Sequence, residues 1–217
     1  MGYLELIIGP MFSGKSTELL RQARRYAHVG KKVLVVNHAL NVRYEGQPTS
    51  PKTHDAVRIS RNAVSARYLR DVDGTDVFLK ADIIIVEELQ FFPDAYPYVT
   101  KWADSQGKII VAAGLDGDSN RQPFGDVLRL VPVANKVRKL SALCGRCGDG
   151  TLADFTLRKS KDHTRTLVGA HDEYEAVCRT HYLRHATGAA LPQPTKKTKA
   201  KATMPMPANF SFDVTGC

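Results

Sequence analysis

Gly9-Pro10-Met11-Phe12-Ser13-Gly14-Lys15-Ser16 fits the spacing G-x-x-x-x-G-K-[ST]. Such a segment can wrap an anion. Gly9 and Gly14 let the backbone curl without Cβ clashes. Backbone N–H groups and a helix N-terminus would then face phosphate oxygens. Lys15 would reach the β- and γ-phosphates, and Ser16 would offer a hydroxyl to Mg²⁺. A second constellation is Glu87-Glu88, directly after Ile83-Ile84-Ile85-Val86. A carboxylate at the end of a buried strand beside a phosphate loop suits Mg²⁺. Side chains alternate along a strand, so one glutamate can serve the metal while the other faces an acceptor. A carboxylate beside an acceptor hydroxyl can act as general base. A third constellation is Cys144-x-x-Cys147 with Cys178-x-x-His181. These four ligand types suit tetrahedral Zn²⁺. The gap between the two pairs is wider than the roughly 12–20 residues of common zinc motifs, so free thiols beside a surface histidine stay open on spacing alone.

The phosphate loop needs a strand before it and a helix after it. Leu4 to Ile8 reads as a buried strand, and Lys15 to about Val29 as a helix closed by Gly30. Further strands are expected at Lys32–Val36, Asp82–Val86 and Lys108–Ala113, and helices at Ser60–Val72 and Pro93–Ser105. His38 to Val57 is polar and broken by Gly46, Pro48 and Pro51, so it reads as a loop. The alternation implies an α/β fold, a parallel sheet flanked by helices, over residues 1–140. Short β-type segments and the cysteines follow over 141–185 as a small lobe. Residues 186–217 turn to Ala, Pro, Lys and Thr and read as a disordered tail.

With 43% hydrophobic residues the chain can bury one full core and a small appendage. No apolar run is long enough for a bilayer. The N-terminus shows no basic region or cleavage site of a secretory signal, so the cytosol is the expected compartment. There a close cysteine pair suggests metal before disulfide. The net charge of +9 is partly local, in Lys196, Lys197, Lys199 and Lys201. The charge pattern favours a solvated tail over a nucleic-acid partner.

The P-loop through Thr17, then Glu88, Gln90-Phe91-Phe92-Pro93-Asp94, Leu115-Asp116-Gly117 and Pro123-Phe124-Gly125 resemble, in order, the thymidine kinases of animals, many bacteria and poxviruses. The likeness runs from Leu4 to about Tyr182. It implies transfer of the γ-phosphate of ATP to the 5′-hydroxyl of thymidine, or of deoxyuridine, in nucleotide salvage. On this resemblance Gly9 to Thr17 cradle ATP, Glu87 serves Mg²⁺ and Glu88 is the base. Arg43 matches an arginine near the phosphates, although an exposed loop arginine reads equally well. Met11, Phe91 and Leu115 match the walls of the thymine pocket. Val168-Gly169-Ala170 and Tyr174 match a lasso that closes over the nucleoside, and Gly114 to Arg121 match a mobile lid.

The resemblance also implies a structural zinc on Cys144, Cys147, Cys178 and His181, in the small lobe, and a homotetramer. Cys217 stands apart from that set. Three departures bear on turnover and base selectivity. Glu87 stands where the family usually has Asp, Leu89 where it has Gly, and Ser119 where many members carry an aromatic residue. Two rival readings follow. One is a P-loop ATPase binding nucleic acid through its metal lobe and basic tail. The other is a diverged nucleoside kinase of altered selectivity.

Overall fold

The structure is a computed structural model that describes residues 1–40, 63–159 and 173–187. Nine elements build the main body: β1 (Tyr3–Ile8), α1 (Lys15–His28), β2 (Val33–His38), β3 (Ala63–Ala66), α2 (Asp76–Lys80), β4 (Ile83–Val86), α3 (Ala95–Asp104), β5 (Ile109–Gly114) and β6 (Lys136–Lys139). The six strands form one parallel sheet in the order β3-β2-β4-β5-β1-β6. Parallel strands demand crossovers that cover the faces, so the central strands are aliphatic on both sides. In β4, Ile84 and Val86 enter one core and Ile83 and Ile85 the other. Leu19 and Ala23 of α1 pack on the second core; Ala95, Val99 and Trp102 of α3 pack on the first. Gly30 closes α1 with φ +76, its N–H bonded to Ala27 O.

The helix expected at Ser60–Val72 is not what forms over its described part. Ala63–Ala66 is instead strand β3, in register with Val35 to His38, and Leu69–Asp71 is a short 3₁₀ turn. Its residues read as helical locally, but pairing along the edge of β2 outweighs that propensity. Asp94 closes this turn: its carboxylate accepts from Leu69 N and Arg70 N, both at 3.0 Å.

The edge strand β6 is held by charge as well as by backbone. Arg138 Nε lies 2.8 Å from Glu5 of β1, and its guanidinium also reaches Glu18 of α1. Arg21, helped by Arg138 and Gln22, outweighs partial burial and holds the Glu18 carboxyl down at about 2.

A second, smaller core follows. It is built on two antiparallel pairs, β7 (Ala142–Leu143) with β8 (Leu152–Ala153) and β9 (Phe155–Arg158) with β10 (Tyr174–Val177). Helix α4 (Arg179–Thr187) closes it. Phe12 of the P-loop packs against this lobe, and Thr156 Oγ1 accepts from Met11 N at 2.9 Å. The phosphate loop therefore rests on both cores.

Candidate active site and metal centre

All six strands run the same way, so their carboxyl ends share one edge, where open α/β sheets bind ligands. Gly9 follows β1 there, and Glu87 follows β4. One strand, β5, lies between them, which sets their strand ends about 10 Å apart.

The loop is tightly folded. A Cβ at Gly9 would meet Leu140 O at 2.4 Å and Ser13 Oγ at 3.0 Å. Phe12 takes the left-handed region at φ 64, and Gly14 at φ 81 turns the chain into α1. Helix starts leave backbone N–H groups outside the helical ladder. Here those of Lys15, Ser16 and Thr17 open α1 directly after the loop. Lys15 Nζ lies within the loop, donating to Pro10 O at 2.6 Å, and Ser13 Oγ also donates to Pro10 O at 2.8 Å. This cradle of left-handed glycines, an ammonium and a helix start fits a polyphosphate.

Glu87 N still pairs with Val36 O, and the Glu87 residue is 3% exposed. The strand breaks at Glu88, whose backbone is left-handed at φ 54, ψ 45. A non-glycine residue there costs about 1–3 kcal/mol and persists where its surroundings enforce it. Simple alternation along β4 therefore stops one residue before the second carboxylate. Glu88 instead starts a 3₁₀ turn, Leu89–Phe91, that brings Gln90 back beside it. Gln90 Nε2 donates to Glu88 Oε2 at 2.6 Å, and Gln90 Oε1 accepts from Leu115 N at 3.0 Å. The buried amide of Gln90 thus joins the carboxylate to the root of the segment after β5.

Gln90 belongs to the Gln-Phe-Phe-Pro-Asp segment, but its residue type and spacing carry no signal of this bridging position. That position depends on the left-handed turn at Glu88. Leu89, one of the departures, is fully buried in the main core. The space beside it exists because residue 114 is glycine: a Cβ there would meet Leu89 Cβ at 3.2 Å and Gln90 Oε1 at 3.0 Å.

Phe91 is half-buried and meets Phe124 edge to face at 5.6 Å, which joins the turn to the far side of the expected lid. His38, at the end of β2, packs against Phe91 and Phe92 at 5.6 and 4.7 Å. Its Nδ1 accepts from Leu40 N at 3.1 Å, so the ring proton sits on Nε2, 3.3 Å from Arg67 O. Burial holds the His38 pKa below its usual value. Leu115 is joined to Gln90, and Met11 to Thr156. Tyr174 is buried on β10, its hydroxyl accepting from Arg158 Nη2 at 2.7 Å. Arg43, Val168, Gly169 and Ala170 lie outside the described residues.

Cys144, Cys147, Cys178 and His181 come together in the small lobe. Their ligand atoms all lie within 4.8 Å of one another. His181 Nδ1 is 3.5, 3.4 and 3.3 Å from the sulfurs of Cys144, Cys147 and Cys178, and the latter two sulfurs are 3.8 Å apart. Tetrahedral zinc with Zn–S of about 2.3 Å and Zn–N of about 2.0–2.1 Å needs S···S near 3.8 Å and S···N near 3.5 Å. The set fits a closed, structural zinc. Burial opposes charge on Cys144, yet backbone N–H groups around it bring the thiol down to about 6. Burial and the neighbouring thiol push Cys147 up to about 11. Among the described residues no helix is long and apolar enough to cross a membrane.

Comparison with known proteins covers both regions at once. The thymidine kinase family model matches residues 2–182. Thymidine kinase a of Arabidopsis thaliana is 42% identical over 183 residues, spanning 84% of this chain and 75% of its own. Thymidine kinase of sheeppox virus (strain KS-1) is 41% identical over 182 residues, spanning 84% of this chain and 97% of its own. Cytosolic thymidine kinase of Homo sapiens is 40% identical over 187 residues, spanning 86% of this chain and 76% of its own. The matched span takes in the phosphate loop, the acidic strand end and the Cys/His cluster, and on that span the chain belongs to the thymidine kinase family.

Proposed function

We propose that this chain transfers the γ-phosphoryl group of ATP to the 5′-hydroxyl of thymidine, giving thymidine monophosphate and ADP. The observation that carries the mechanism is Glu88. It leaves the buried strand in a left-handed conformation, with its carboxylate fixed by Gln90 at the sheet edge that holds the P-loop. In this reading Glu88 accepts the 5′-OH proton as that oxygen attacks the γ-phosphorus. The bond to the β-phosphate oxygen breaks, and ADP departs.

The start of α1 and Lys15 offset charge on the phosphate oxygens. Ser16 and Glu87 would hold Mg²⁺, which when bound neutralises charge between the β- and γ-phosphates. Met11, Phe91 and Leu115 would wall the base, with Tyr174 and the segment after β5 closing the site. Cys144, Cys147, Cys178 and His181 would hold zinc that fixes the small lobe under the P-loop residue Met11. A cytosolic homotetramer belongs to the same reading.

Glu88→Gln tests it. The variant keeps the side-chain shape and the donor at Gln90 still meets an oxygen. It should bind ATP as the parent does while kcat falls by about 10²–10⁴-fold. Near-normal turnover would reject Glu88 as the base.

A further inference from the structure

The segment after β5 is tied at both ends. At its root, Leu115 N donates to Gln90 Oε1, and Asp116 pairs with Lys139 at 3.0 Å. Gly117 bridges to Pro123, and the Asp118 carboxylate accepts from Asn120 N and Gln122 N, both at 2.9 Å. The tip is therefore a defined turn. That turn is fastened to the metal lobe. Tyr182 OH donates to Ser119 O at 2.7 Å. The Arg121 guanidinium lies 4.6 Å over the Tyr182 ring and 5.8 Å from the Phe155 ring. The two rings are 5.4 Å apart, and Tyr182 is only 8% exposed. Tyr182 directly follows the metal ligand His181, and its N–H bonds to the carbonyl of the ligand Cys178.

We propose that Tyr182 is a positioning residue that latches the tip of the lid to the metal centre. Its placement is set by Cys178 and His181, which precede it at the start of α4. A hydroxyl reaching a backbone carbonyl is independent of the side chain at residue 119, so the latch holds with serine there. The lid then spans from the metal lobe at Ser119 to Gln90 and Glu88 at its root. The catalytic consequence rests on the kinase reading above, because only a phosphoryl transfer needs the lid set against Glu88.

The test is Tyr182→Phe in the full chain, which removes one donor and keeps the ring beneath Arg121. Amide hydrogen exchange over residues 117–122 should rise about 3- to 10-fold, the range for one lost hydrogen bond. Exchange over β9 and β10 and the zinc content should stay at parent values. With thymidine and ATP, kcat should fall while KM for ATP holds, since the P-loop is untouched. Arg146→Ala serves as the control: it breaks an ion pair with Glu175 in the same lobe and should leave lid exchange unchanged. Unchanged lid exchange in Tyr182→Phe overturns the latch, as does an equal rise in Arg146→Ala. If lid exchange rises but the parent shows no thymidine-dependent turnover, the latch stands and the kinase reading falls.

Discussion

Gln90→Glu separates the two jobs of the buried amide. The substitution is nearly isosteric. It keeps an acceptor for Leu115 N, bonded at 3.0 Å, but replaces the donor that meets Glu88 Oε2 at 2.6 Å. A hydrogen bond to a charged group contributes about 1.5–3 kcal/mol. At about 1.4 kcal/mol per factor of ten, losing the bond that orients Glu88 lowers kcat by about 10- to 150-fold when all of it serves positioning. Two carboxylates at that separation also repel, which drives Glu88 from its place. The variant kcat should therefore lie about 10- to 150-fold below that of the parent. KM for ATP should change by no more than about twofold, because no P-loop contact is touched. Initial-rate ADP release from pH 6 to 9.5 measures both. A ratio of variant to parent kcat near one across that range would show that Gln90 does not hold Glu88 for catalysis.

Atomic spectroscopy should find one zinc per chain, and His181→Ala should lower zinc affinity and the melting temperature together; a zinc-free parent with unchanged melting would remove the metal from the account. Gly125→Ala should destabilise by about 2–4 kcal/mol, since φ is +58 and a Cβ would come 2.4 Å from Gln90 O. Chemical denaturation reads this, and a loss under about 0.5 kcal/mol would contradict the geometry. His38 titrates below its usual pKa because burial opposes its charge. Its contribution is fully present above the unfolded value of about 6.5 and is lost as pH falls through the lower folded value. Melting temperature should drop from pH 7.5 to 5, with a shallower slope in His38→Gln; equal slopes would place the pH dependence elsewhere.

The P-loop was legible because its glycines, lysine and serine are fixed in spacing by the anion they serve. The central strands β1, β2, β4 and β5 were legible because burial on both faces makes them near-continuous aliphatic runs. The edges were not. Strand β6 reads Lys-Val-Arg-Lys, and it pairs because β1 offers a free edge and Arg138 finds Glu5 and Glu18. Strand β3 carries Ala and Ser in a locally helical pattern, and only the edge of β2 makes it a strand. Helix α2 is five residues long, too short for its periodicity to show in the sequence; Thr75 caps it, Oγ1 accepting from Phe78 N at 3.4 Å. At the site, the members of the Cys/His cluster were readable by residue type, but not their closeness. The roles of Gln90 and Tyr182 were hidden for one reason: both depend on where a turn delivers a side chain across the chain, to Leu115 in one case and Ser119 in the other.

Phosphorylation of thymidine by this chain is tested directly by ADP release from ATP and Mg²⁺ by the full chain, without additive, with thymidine, with other nucleosides and with single-stranded DNA. Strong stimulation by thymidine, formation of thymidine monophosphate in equal amount to ADP, and no response to DNA are expected. Hydrolysis that ignores thymidine, or that responds to single-stranded DNA, would contradict thymidine phosphorylation.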